Sequence, residues 1–148
     1  MAKEFVINGK KINGEKLIPE WVSAGINKDA VEYAESFGRD LATMRDALTT
    51  AQIRNVFGEV RRIQMNNKKS ALHPENFNEA RILLLRPKLA YSAKRAKSRG
   101  AKELAEVLSE GLKSVAEGNS REEKIRRFEN FSNFFEAVLA YHKAAGGN

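Results

Sequence analysis

The 148-residue chain has no cysteine, two histidines, three prolines and one tryptophan. Without cysteine it has no disulfide, no thiol nucleophile and no thiolate metal site, and such a chain suits a reducing cytoplasm, where we expect it to reside. Two histidines leave little for a catalytic dyad or a zinc cluster. His73 adjoins Pro74 in a polar stretch and reads as a loop residue; His142, near the other end, reads as a partly buried core residue. No run approaches the roughly 18 consecutive apolar residues of a membrane span, and the start, MAKEFVINGKK, lacks the apolar centre of a secretory signal. Gly-rich phosphate loops, paired-histidine zinc motifs and nucleophile elbows are also missing. These absences lead us to expect a soluble protein with no membrane partner, no cofactor, no metal and no enzymatic activity.

What the chain does have is positive charge, and it is unevenly placed. Residues 1–49 hold 7 Lys/Arg against 8 Asp/Glu, and residues 103–148 hold 6 against 8. The middle, residues 50–102, holds 13 Lys/Arg and only three acids, Glu59, Glu75 and Glu79. From Arg86 to Lys102 there are seven basic residues and no acid. An ordinary solvated helix face mixes signs to form pairs and avoid self-repulsion, so a one-signed segment points to a polyanionic partner.

Apolar spacing predicts an all-α fold, a compact bundle of about five helices in one domain over residues 27–148, preceded by an extension over residues 1–26. In that extension Asn8-Gly9 between short apolar runs is a hairpin signal, and Trp21 is the residue through which it would dock. The first helix is expected over Lys28 to about Leu41, with Val31, Ala34, Glu35 and Phe37 near one face. Thr49 and Gln52 form a capping-box pattern ahead of Ile53, Val56, Phe57, Val60 and Ile63, the stripe of a second helix. Pro74 suits the first turn of a third, carrying Phe77, Ala80, Leu83, Leu84 and Leu85. Pro87 is expected to kink or end it, and Gly100 to end the piece that follows. A fourth helix spans about Ala101 to Ala116. A fifth opens at Ser120 with Glu123 three residues on, and its aromatic stripe predicts that Phe128, Phe131 and Phe135 are core. Phe134 and Tyr141, seven residues apart and off that stripe, are interface candidates.

Within the basic segment, Arg54 and Arg61 lie on one line beside the apolar stripe of the second helix, with Arg62 farther round. After Pro87, Lys88, Lys94, Arg95, Lys97, Arg99 and Lys102 surround Tyr91, giving cations for phosphates and a ring that can stack on a base or pack in the core. A smaller set, Lys124, Arg126 and Arg127, opens the last helix beside Glu122 and Glu123, acids that weaken it as an anion site.

Three stretches carry a family resemblance: LTTAQIRNVFGEVRRI at 48–63, ILLLRPKLAYSAKR at 82–95 and FENFSNFFEAVLAYHK at 128–143. Together they resemble the small subunit of type III-A CRISPR interference complexes, the Csm small-subunit family. The resemblance implies a non-catalytic helical subunit that stacks in several copies along the complex, with self-association along that filament and contacts to the other subunits. It also implies contact with the backbone of single-stranded target RNA paired with guide RNA. Its contact residues would be Arg54, Arg61, Arg62, Lys88 and Arg95; Lys94, Lys97 and Arg99 join them on charge placement alone.

Charge by itself leaves alternatives open. One is another helical nucleic-acid-binding module, such as a duplex DNA regulator or a ribosome-associated factor. Another is a pure assembly scaffold docking its basic face on an acidic partner. A helical nuclease has little support, because metal-dependent cleavage wants converging carboxylates where this segment lacks them.

Overall fold

The computed structural model describes residues 4–7 and 10–148, with side chains from Lys16 onward. Strands β1 (Glu4–Ile7) and β2 (Lys10–Asn13) pair antiparallel, Glu4 opposite Asn13 and Ile7 opposite Lys10. The Asn8-Gly9 turn expected between them lies outside the described residues. Among the described residues six helices follow: α1 (Gly14–Ala24), α2 (Lys28–Thr43), α3 (Thr50–Ser70), α4 (Glu79–Ala96), α5 (Arg99–Ala116) and α6 (Arg121–Ala144), with a 3₁₀ turn at Pro74–Asn76 before α4. The all-α bundle expected from the sequence is thus present, with one helix more than the spacing suggested.

The additional helix is α1, and it belongs to the core. Ile18, Trp21 and Val22 are buried, and Trp21 meets Tyr33 edge-on at 5.4 Å between ring centroids. The last carbonyls of α1, which no residue of its own turn can satisfy, are taken by α6: Asn130 donates to Val22 O and Arg126 to Ser23 O, each at 2.8 Å.

α6 is the central helix. It packs against α2, α5, α1 and α3, so apolar residues are needed around most of its circumference. Phe128, Phe131 and Phe135 are buried as expected. Phe134 is buried as well, 6.0 Å from the Tyr33 ring and 6.1 Å from Trp21, which corrects its reading as an interface residue: α1 and α2 cover the flank that the stripe left free. Tyr141 is half-buried and packed on the core. Similar corrections apply on two other helices. On α2 the buried face is Ala30, Tyr33, Ala34, Phe37 and Leu41, leaving Val31 exposed. On α4 it is Ile82, Leu85 and Leu89, leaving Leu83 and Leu84 exposed, since three consecutive leucines at about 100° per residue cannot all face one core.

Most of the helix starts follow the sequence. Thr49 Oγ1 accepts from Gln52 N at 3.3 Å while Gln52 Oε1 accepts from Thr49 N at 3.0 Å. Ser120 Oγ accepts from Glu123 N at 3.1 Å, but the Glu123 carboxylate reaches back to Asn119 N. Three expected boundaries differ. Pro74 opens the 3₁₀ turn, and α4 starts only at Glu79, so Phe77 precedes it. Of the two outcomes expected at Pro87, the helix does not end but runs on through it, with the ring on the exposed side, where water can satisfy the freed carbonyl one turn back. Lys97, at φ 56°, rather than Gly100, ends α4. Ser98 caps α5 through its hydroxyl, and Gly100 sits in the first turn, where a Cβ would run into the Leu48 backbone.

Candidate nucleic-acid interface

α4 lies at the edge of the bundle, packed on α3 on one flank and α5 on the other. Its buried residues, Ile82, Leu85 and Leu89, fall within an arc of about 60° at about 100° per residue, and a groove opens on each side. The α3–α4 groove, about 460 Å³, is lined by Asn55 and Glu59 from α3 and by Lys88, Tyr91, Ser92 and Arg95 from α4. The α4–α5 groove, about 910 Å³, is lined by Ala90, Ala93 and Ala105, by the cations Arg86, Lys94, Lys97, Arg99, Lys102 and Lys113, and by the acids Glu106 and Glu110, the last paired with Lys113 at 3.2 Å.

The eight candidate residues therefore do not form one face. Lys94, Lys97 and Arg99 border the α4–α5 groove, whereas Lys88 and Arg95 border the α3–α4 groove. Arg62 reaches the latter through Glu59, with its Nε 3.1 Å from Glu59 Oε1. Arg54 and Arg61 lie about 100° farther round α3 by helical rotation, and the Arg61 guanidinium sits 5.2 Å over the Phe57 ring. Tyr91 is 64% exposed, so it is not a core residue. The Arg95 guanidinium lies 5.9 Å from its ring centroid, a cation–π pair presented to solvent.

Acids modulate this charge locally. Arg99 pairs with Glu103 at 2.8 Å, and Glu59 collects Arg62, Arg81 and Lys88. Among the described residues no acidic side chain pairs with Arg54, Lys94, Arg95 or Lys97. The cations at the start of α6 are engaged within the fold: Lys124 bridges to Glu79 at 2.6 Å, Arg127 to Glu123 at 2.8 Å, and Arg126 caps α1. His73 pairs in an exposed loop with Glu75, while buried His142 holds Leu48 O at 2.7 Å through Nε2.

Sequence reasoning missed Arg81 and Lys113, and the role of Glu59. The Glu59–Arg62 spacing of three was a visible signal. Arg81 and Lys88 reach Glu59 from another helix, which no spacing within α3 could indicate.

A family model described as Csm2 Type III-A matches residues 26–148, most of the chain and all of α2 to α6. The chain belongs to the Csm2 type III-A family. Members are structural small subunits of the multi-subunit type III-A CRISPR effector complex, and this chain is a compact all-α bundle. The chain matches no curated protein and no solved structure. The matched residues include both α4 grooves and every candidate contact residue, while β1, β2 and α1 precede them. Among the described residues, no helix is long and apolar enough to cross a membrane.

Proposed function

We propose that this Csm2 family member is the RNA-binding small subunit of its effector complex, contacting the backbone of guide-paired target RNA without catalysing a reaction and stacking beside the other subunits. The observation that carries this reading is α4: an edge helix with basic grooves on both flanks, an exposed Tyr91, and cations at Lys94, Arg95 and Lys97 without acidic partners among the described residues. Guide pairing supplies sequence recognition in such complexes, so a small subunit needs to read only phosphates and shape. Arg54, Arg61, Arg62, Lys88, Lys94, Arg95, Lys97 and Arg99 are the proposed contacts. Leu83 and Leu84, about half exposed on the outer side of α4, support packing against a neighbouring subunit or a second copy.

The test is binding of the purified protein to labelled single-stranded RNA and to duplex DNA across a salt series. Neutralising about three phosphates on a single strand gives a log–log salt slope near −2. Reversing Arg54, Arg61, Lys94 and Arg95 to glutamate should abolish binding while leaving the fold intact. Tight, sequence-dependent duplex binding would instead favour a DNA regulator, and salt-independent affinity would exclude a phosphate-reading role.

A further inference from the structure

Glu59 is the acidic residue of α3, and its carboxylate lies at the wall of the α3–α4 groove. Oε1 accepts from Arg62 Nε at 3.1 Å. Oε2 lies 3.3 Å from Arg81 Nη2 and 3.6 Å from Lys88 Nζ. The Glu59 side chain is 12% exposed, whereas those of Arg62, Arg81 and Lys88 are 62%, 35% and 54% exposed. One anion thus sits inside an outward-facing shell of three cations drawn from two helices. Burial pushes its carboxyl up, but the Arg62 hydrogen bond and the charges of Lys88, Arg81 and Arg62 outweigh it and hold the carboxyl below the ordinary range.

Within α3, Arg62 supplies a partner to Oε1 alone, and Oε2 takes its hydrogen bond from Arg81. Arg81 and Lys88 approach from α4 and leave the cluster at a net charge of +2. Guanidinium and ammonium groups converging on a pair of oxygens is the arrangement with which proteins hold a phosphate. We infer that Glu59 is an internal stand-in for phosphate: it gathers Arg62, Arg81 and Lys88 into a ready-made anion cradle and, by occupying it, limits the affinity of the α3–α4 groove for single-stranded RNA. The inference rests on the RNA-binding reading above. A subunit that reads backbone alone has no base contacts with which to reject a stray strand, and an internal anion lowers its hold on free RNA. Other contacts made in the assembled complex then become necessary for retention. Glu59 is a positioning and affinity-limiting residue, acting through the three cations.

The experiment measures binding of the full chain to a fluorescent uridine homopolymer across a salt series, for the wild type, Glu59→Gln and Glu59→Asp. The amide keeps the shape and one acceptor but removes the charge. Glu59→Gln is expected to bind several-fold tighter at low salt, with the slope steeper by about 0.7 for each cation released. Glu59→Asp, which keeps the anion, should retain the wild-type slope. A purely structural role for Glu59 would not steepen the salt slope. Should the amide variant fail to fold by thermal unfolding, Glu59→Met, similar in volume and uncharged, serves in its place. Equal or weaker binding by a folded, uncharged variant overturns the inference and leaves the RNA-binding reading standing. No binding by the wild type or any variant overturns both.

Discussion

At Gly38 the α2 backbone runs directly against α6: a Cβ there would lie 2.6 Å from Val138 O and 2.8 Å from Tyr141 Cβ. Backbone cannot yield as a side-chain tip does, so Gly38→Ala should cost about 1–3 kcal/mol, seen as a lower urea midpoint. Gly58, in the middle of α3, is the contrasting case. Its added Cβ would find only the flexible Arg62 guanidinium, 3.7 Å away, so Gly58→Ala should stabilise the protein by about 0.5–1 kcal/mol through helix propensity. Both glycines sit inside predicted helices, and nothing in the local spacing separates them. The difference comes from which one faces another helix.

α4 is the element on which sequence and structure differ most. Pro87 is expected to kink or end it, and Leu83, Leu84 and Leu85 are expected on it without a division between core and surface. Its position at the edge of the bundle explains both outcomes. The line through Ile82, Leu85 and Leu89 is what α4 buries against the bundle, so Leu83, Leu84 and Pro87 stay exposed, and the helix tolerates a proline on a side that water reaches. A proline inside a helix still costs up to about 3 kcal/mol relative to alanine. Pro87→Ala should therefore stabilise the protein by about 1–3 kcal/mol in chemical denaturation, without weakening RNA binding. A destabilising effect would mean that the ring itself shapes the α4 surface. By contrast, the starts of α3 and α6 were legible, because capping is local: Thr49 with Gln52, and Ser120 with Glu123, lie within one turn of each other.

On the scale of the whole molecule, α1 packs into the bundle, so the cooperative unit is expected to include it. It precedes the family match, yet Trp21 is buried between Tyr33 and Phe134, Ser114 Oγ donates to Pro19 O at 2.8 Å, and α6 side chains cap its end. Trp21→Ala should cost about 3–5 kcal/mol and lower the single unfolding transition of the whole bundle. If α1 were an independent appendage, the main transition would stay where it is. The same scale governs the basic segment. Its charges run together along the chain, but packing α4 between α3 and α5 divides them between two grooves.

The amino-acid sequence by itself determined the helical class, most of the caps, the aromatic core of the last helix, the concentration of charge in the middle third and, through three stretches of residues, the family. Each of these depends on residue type or on spacings within a single helix, where neighbours three and four residues apart are set by the helix itself. Only the tertiary structure decided that Phe134 is core and Leu84 is surface, that Tyr91 is exposed, and that Arg81 and Lys88 converge on Glu59. Those outcomes depend on which flank of one helix meets another, and the carboxylate of Glu59 acquires its two α4 partners only when α3 and α4 pack side by side.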